Sequence, residues 1–189
     1  MALMLFRCDG GTLMLPARAS LLVSRENGGN LVVNPPRPVW ERSELTPAEL
    51  THFAFLVAAA GRAMIDVLPQ LSGGCLNYWE AGNWALNDAA DPVGRKDARS
   101  HRQMHLHLLG RSPGSTDPSW RWGESPRFPA FAERYSWAAG FERLTAPECA
   151  AIVARTEAFL REAYGVRDEQ IASWSCGEDG YPGPTLQDV

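Results

Sequence analysis

The side chains best suited to chemistry lie in "HRQMHLHLLGR", residues 101–111, where His101, Gln103, His105 and His107 stand at every second position. Three of the four histidines of this 189-residue chain fall in that stretch, which also holds Arg102 and Arg111. Successive side chains on a β-strand alternate faces, so these four polar groups share one face and Met104, Leu106 and Leu108 share the other. The apolar set belongs to a core. The imidazole face must border a cleft or solvent, because unpaired polar groups in a dry interior cost roughly 2–7 kcal/mol each.

Three chemistries fit such a face. It can be the solvated side of an edge strand, with no function. It can bind zinc, since two histidines at i and i+2 suit that ion, although no His-Glu-x-x-His or cysteine partner accompanies them. Or it can carry out nucleophilic catalysis at phosphorus. There one imidazole attacks, a second orients it or holds the phosphate, and surrounding donors carry the developing charge.

Several elements must position this strand. Residues 18–34 contain two apolar runs joined by "ENGG", which predicts a β-hairpin about Asn27-Gly28. The second run ends at "NPPRP", where proline removes ladder donors. Thr46, Pro47 and Glu49 form a Thr-x-x-Glu capping box that opens a long helix. Its apolar face is Leu50, Phe53, Ala54, Val57, Ala58, Gly61, Met64, Ile65 and Leu68. "GGCLNYWE" predicts a strand, and residues 82–100 a polar loop carrying Arg95, Lys96 and Arg99. The histidine strand follows over 102–110, then an irregular wrap at 112–144. A second capped helix starts after Thr145, with Glu148 three residues on, Ile152, Val153, Phe159, Leu160 and Ala163 inward, and Gly165 as its C-cap. The tail from 166 is turn-rich.

Bulk properties narrow the classes. A net charge of −4 argues against a general nucleic-acid backbone binder, while a local basic pocket for a small anion remains compatible with it. Cys8, Cys75, Cys149 and Cys176 are widely spaced and form no CxxC pair, as expected of free thiols in a reducing compartment. The start "MALMLFRCDGG" lacks a basic leader and no 18-residue apolar run is expected, which predicts no membrane association and a cytoplasmic location.

The stretch "QMHLHLLGR" resembles the His-φ-His-φ-His-φ-φ motif of the histidine-triad superfamily, φ being apolar. Matching the "LLGR" end sets His107 on the third histidine, His105 on the middle one and Gln103 on the first. "GGNLVVNPPRPVWERSELTPAEL" is similar to the family's strand, loop and capped helix, and "ARS" at 98–100 sits where Gly-Gln-Ser or Gly-Gln-Thr is common. The likeness covers about residues 18–111.

It implies an α+β fold: an antiparallel sheet of about five strands with the long helix packed on it, here followed by a helical C-terminal extension over 112–189. It also implies a homodimer acting on a small-molecule nucleotide without a metal or other cofactor. His105 would be the nucleophile, forming a nucleotidyl-imidazole, with His107 donating to the phosphate. Gln103 would support the site, because its amide donates and accepts but cannot ionise. Ser100 and Arg99 would contact the phosphate or leaving group, Asn30 stands where a histidine is common, and His101 and Arg102 lie just outside the triad. Asn77 and Glu80 would face the same pocket. Among the aromatics after residue 111, Trp120, Trp122, Tyr135, Trp137 and Trp174 are candidates for stacking on a base.

Overall fold

The computed structural model describes residues 1–185. Its chain order is β1 (Leu3–Cys8), β2 (Gly11–Leu15), β3 (Asn30–Asn34), α1 (Pro47–Val67), β4 (Cys75–Ala81), α2 (Ala98–His101) and β5 (His105–Arg111). It continues with α3 (Arg134–Trp137), α4 (Ala146–Glu162), β6 (Trp174–Cys176) and β7 (Pro182–Pro184). The fold is α+β. Five antiparallel strands form a sheet in the order β1-β2-β3-β5-β4, with the long helix α1 on one face.

Strand alternation assigns the two faces. Leu13, Val33 and Leu106 align across β2, β3 and β5, as do Leu31 and Leu108, and all are buried against α1. Met14, Val32, His107 and Trp79 align on the opposite face. Thr46 and Glu49 cap α1 reciprocally, as the Thr-x-x-Glu spacing predicts.

The buried arc of α1 is Phe53, Leu56, Ala59, Ala60, Gly61, Ala63 and Met64, while Leu50 and Ile65 are exposed. This differs from the single stripe expected because α1 is covered twice, by the sheet and by α4. Arg155 of α4 pairs with Asp66 at 3.3 Å, and Tyr164 stacks on Phe55. By length and composition α1 could cross a membrane, with a mean hydropathy of 1.4 over its 18-residue window, contrary to the expectation that no such run exists. Its buried side, 39% of that window, packs against the sheet and α4.

Helix α4 has the expected Thr145–Glu148 capping box, and Gly165 ends it in the left-handed region at φ +64°. Ile152, Val153, Phe159 and Leu160 are buried in the same core as the sheet, whereas Ala163, beyond the last turn, is exposed. After α4 the chain returns to β1, where Ala172 N donates to Arg7 O and Asp9 N donates to Gln170 O. The short β6–β7 hairpin lies against β1 as well, so this sheet edge is covered.

The expected hairpin over 18–34 is absent. Residues 18–20 and 25–27 form single 3₁₀ turns, and Leu21–Ser24 run buried outside any ladder. The reason is that β3 already pairs with β2 on one side and β5 on the other, leaving no edge for the first run. The hairpin lies earlier, with β1 and β2 joined at Asp9-Gly10.

Gly28 serves a different need. Its φ is +132°, and it packs against Gly110, where a Cβ would stand 2.1 Å from the Gly28 carbonyl oxygen. Gly110→Ala is therefore expected to destabilise the fold by about 3 kcal/mol, because backbone cannot rotate away. The check is a lower denaturation midpoint at unchanged slope.

Candidate functional site

Strand β5 starts at His105, not at residue 102. Gln103 precedes it in extended chain, and Met104 N donates to Val39 O. His101 closes the short helix α2, whose N-cap Asp97 accepts from Ser100 N. His101, Gln103, His105 and His107 nevertheless line one cavity of about 490 Å³, together with Trp79, Trp84, Leu22 and Ser20. The wall is largely apolar, with the histidines on its floor.

Register explains the rest of the floor. Trp79 is the cross-strand partner of His107 and Ala81 that of His105, so both look the same way. The Trp79 ring stacks on His107 at 5.5 Å between centroids and on Phe128 at 4.4 Å. Beyond His107 the face is closed by Leu109, Leu22, Val23 and Trp120. Trp120 Nε1 donates to Gly110 O at 2.6 Å, and Arg111 lies over the Trp120 ring while donating to the carbonyls of Arg121 and Glu124. The wrap at 112–144 is thus fastened to the histidine face and ends the cavity on that side.

The two imidazoles have complementary hydrogen bonding. His105 Nδ1 lies 3.0 Å from the Gln103 carbonyl, which can only accept, so Nδ1 carries the proton and Nε2 keeps its lone pair. Asn30 is fully buried. Its Oδ1 accepts from Leu22 N at 3.1 Å and its Nδ2 donates to Leu31 O at 2.9 Å, which fixes the amide orientation. Nδ2 also faces His107 Nδ1 at 3.4 Å, so His107 accepts there and holds its proton on Nε2. The result is one imidazole with a free lone pair beside one that donates, with ring centroids 5.1 Å apart.

Burial pushes the His105 imidazole below its ordinary value, the Arg102 charge adding to this and the Gln103 carbonyl opposing it. His107 is pushed down to about 3, first by burial and then by its neighbour His105. Both rings are neutral near pH 7.

Asn30→Ala is expected to cost about 1–3 kcal/mol, because the buried Leu22 N–H loses its acceptor. Imidazole ¹⁵N shifts in the same variant should show His107 sampling both tautomers.

Other expected contact residues lie elsewhere. Glu80 aligns with Leu106 on the α1 face, one residue off the histidine register, and pairs with Arg42 and with Arg102. Arg102 is spent on structure: its nearly buried guanidinium also reaches Glu41, Asn83 and the Trp40 carbonyl. Ser100 Oγ donates to Asp97, and Arg99 lies over the Trp40 ring, so neither lines the cavity. Asn77 shares the histidine face but pairs with Leu109, beyond Trp79 and outside the cavity.

The aromatic residues of the cavity are Trp79 and Trp84. Trp120, Trp137 and Trp174 use their indole N–H groups on Gly110 O, Leu22 O and Glu157, and Trp122 is not in the lining. The position of Trp79 opposite His107 follows from strand pairing, so no local signal marks it. Among the described residues no three His, Cys, Asp or Glu side chains gather as a metal centre requires, and His52 is on α1 beside Gln170. Compared with known proteins, the chain matches no family model and no curated protein.

Proposed function

We propose that this protein is a histidine-triad-type nucleotidyl hydrolase or transferase acting on a nucleotide or dinucleotide phosphoanhydride, phosphoramidate or related ester. The observation that carries the reading is the pair of neutral imidazoles in one cavity, His105 with a free Nε2 lone pair and His107 with an Nε2–H donor. His105 Nε2 attacks the α-phosphorus. A P–N bond forms as the bond to the leaving group breaks, and that group departs with the electron pair. His107 donates to a non-bridging oxygen as charge accumulates there, and Gln103 offers an amide N–H at the cavity mouth. Water or the hydroxyl of another acceptor then attacks phosphorus and releases its proton to solvent, the P–N bond breaks and His105 recovers its lone pair.

The largely apolar wall strengthens these hydrogen bonds by lowering the local dielectric. A homodimer in the cytoplasm belongs to the same proposal, with β4, the uncovered end of the sheet, as the edge for the second copy. The test is intact-mass trapping of a nucleotidyl-enzyme across a panel of adenylates and dinucleoside polyphosphates. Absence of both adduct and product throughout the panel overturns the reading.

One observation favours a second reading, a nucleotide-binding protein without turnover: Ser100 and Arg99, the expected donors to phosphate or leaving group, are turned out of the cavity. Calorimetric binding without product across that panel would establish it.

A further inference from the structure

The histidine cavity has a neighbour. A second chamber of about 500 Å³ shares Ser20 and Trp84 with it, so the two adjoin across the Trp84 indole. Its walls come from the 3₁₀ turn at 18–20, the loop after β4, and the start of α3 with the turn before it. Each wall is tethered. Arg18 Nε donates to Phe141 O at 2.9 Å, and Lys96 Nζ donates to the carbonyls of Asn87 and Gly94. Within the loop Gly94 N donates to Asp88 O at 2.8 Å. The chamber is thus a half-open recess whose walls are held by hydrogen bonds within the protein.

Its chemistry is specific. Trp84, Phe131 and Tyr135 supply aromatic surface, and Tyr135 is 70% exposed. Asp91 and Arg134 line the same space. The Arg134 guanidinium is held over Phe131 at 3.6 Å and Tyr135 at 4.3 Å, and one of its nitrogens donates to Phe131 O. Among the described residues neither Asp91 nor Arg134 forms an ion pair, with the other or with any third group. A half-open recess lined by aromatic side chains, one acceptor and one donor suits a flat ring that presents donors and acceptors of its own.

We propose that this chamber is a base-recognition subsite for a guanine-type purine, on the part of the substrate remote from the reacting phosphorus. The ring stacks against Trp84 and Tyr135. Asp91 accepts from N1–H and the 2-amino group, while Arg134 donates to O6 and N7. Adenine is rejected by the same pair: its N1 is an acceptor facing a carboxylate, and its 6-amino group is a donor facing a guanidinium. Mismatched polar groups discriminate far more strongly than missing apolar contacts. The assignment of this chamber to the substrate rests on the catalytic reading above, but its binding chemistry does not.

The experiment is calorimetric titration of GMP and of AMP into the wild type, Asp91→Asn, Arg134→Gln and His105→Ala, with thermal unfolding as a check on each fold. Wild type should bind AMP about tenfold more weakly than GMP or worse, and His105→Ala should keep that preference whatever its affinity. Asp91→Asn and Arg134→Gln should each weaken GMP about tenfold and erase the preference over AMP. Equal GMP and AMP affinities in the wild type, no GMP binding, or a preference unchanged in both chamber variants overturns the proposal. A catalytically dead enzyme that still prefers GMP retains the subsite while the proposed reaction fails.

Discussion

Replacing His105 with alanine is expected to abolish the nucleotidyl-enzyme and lower turnover by about 10⁴-fold or more, the scale seen when a covalent nucleophile is removed. No neighbouring group can substitute. His107 holds its proton on Nε2 because Asn30 donates toward its Nδ1, and Gln103 cannot ionise. Folding should be nearly unaffected, because His105 sits at the start of β5 and, among the described residues, its side chain hydrogen-bonds to the carbonyl two residues earlier and nothing else. The wild-type pH profile carries a second signature. The nucleophile must be unprotonated, and burial holds His105 below its ordinary value. The acid limb of kcat/KM should therefore fall below the usual imidazole value of about 6.5, so activity persists into mildly acidic solution. A variant with full activity, or an acid limb above that value, would contradict the assignment of His105.

The second large effect is acid lability arising from His107. In the folded protein its imidazole titrates at about 3, whereas in the unfolded chain it titrates near its ordinary value of about 6.5. Above the unfolded value neither state binds the proton, and the full stability is present. As pH falls through about 6.5 the unfolded chain gains a proton that the folded one refuses, and stability drops until the folded value is reached. The loss is up to about 5 kcal/mol over the whole window and about 2 kcal/mol by pH 5. In a chain this size 2 kcal/mol lowers Tm by roughly 4–8 °C. His105 contributes in the same direction. The control is His107→Gln, which keeps an amide donor in the position and removes the titration. Its Tm should fall distinctly less between pH 7.5 and pH 5 than that of the wild type, and an equal fall would refute the attribution.

The legible parts of this fold are those written within a few residues. Both long helices begin at a Thr-x-x-Glu box because the cap closes over three residues and needs no tertiary partner. The division of β5 into an imidazole face and a Met104–Leu106–Leu108 face follows from strand alternation, which is equally local. Asn27-Gly28 shows the limit. The pair has the composition of a hairpin turn, yet Asn27 Oδ1 accepts from Ser115 Oγ and Thr116 N, and Gly28 admits the backbone of Gly110. Those demands come from segments some 80 residues away, and no window around Asn27 contains them.

The membership of the cavity divides along the same line. The sequence by itself determined that His105 and His107 look one way while their apolar neighbours enter the core, because the backbone alternates at every residue. Only tertiary structure decided what stands beside them. Antiparallel pairing set Trp79 opposite His107 and turned Glu80 to the helix side, where a shift of one residue would have exchanged the two. Pairing of β3 with β5 brought Asn30 against His107 Nδ1, and with it the protonation pattern of the pair. The Asp97 cap drew Ser100 away from the phosphate position expected for it, and the loops at 18–20, 87–94 and 131–135 came together to line the second, half-open chamber. Register and loop packing are fixed by the summed burial of distant segments, so these placements exist only once the whole chain has folded.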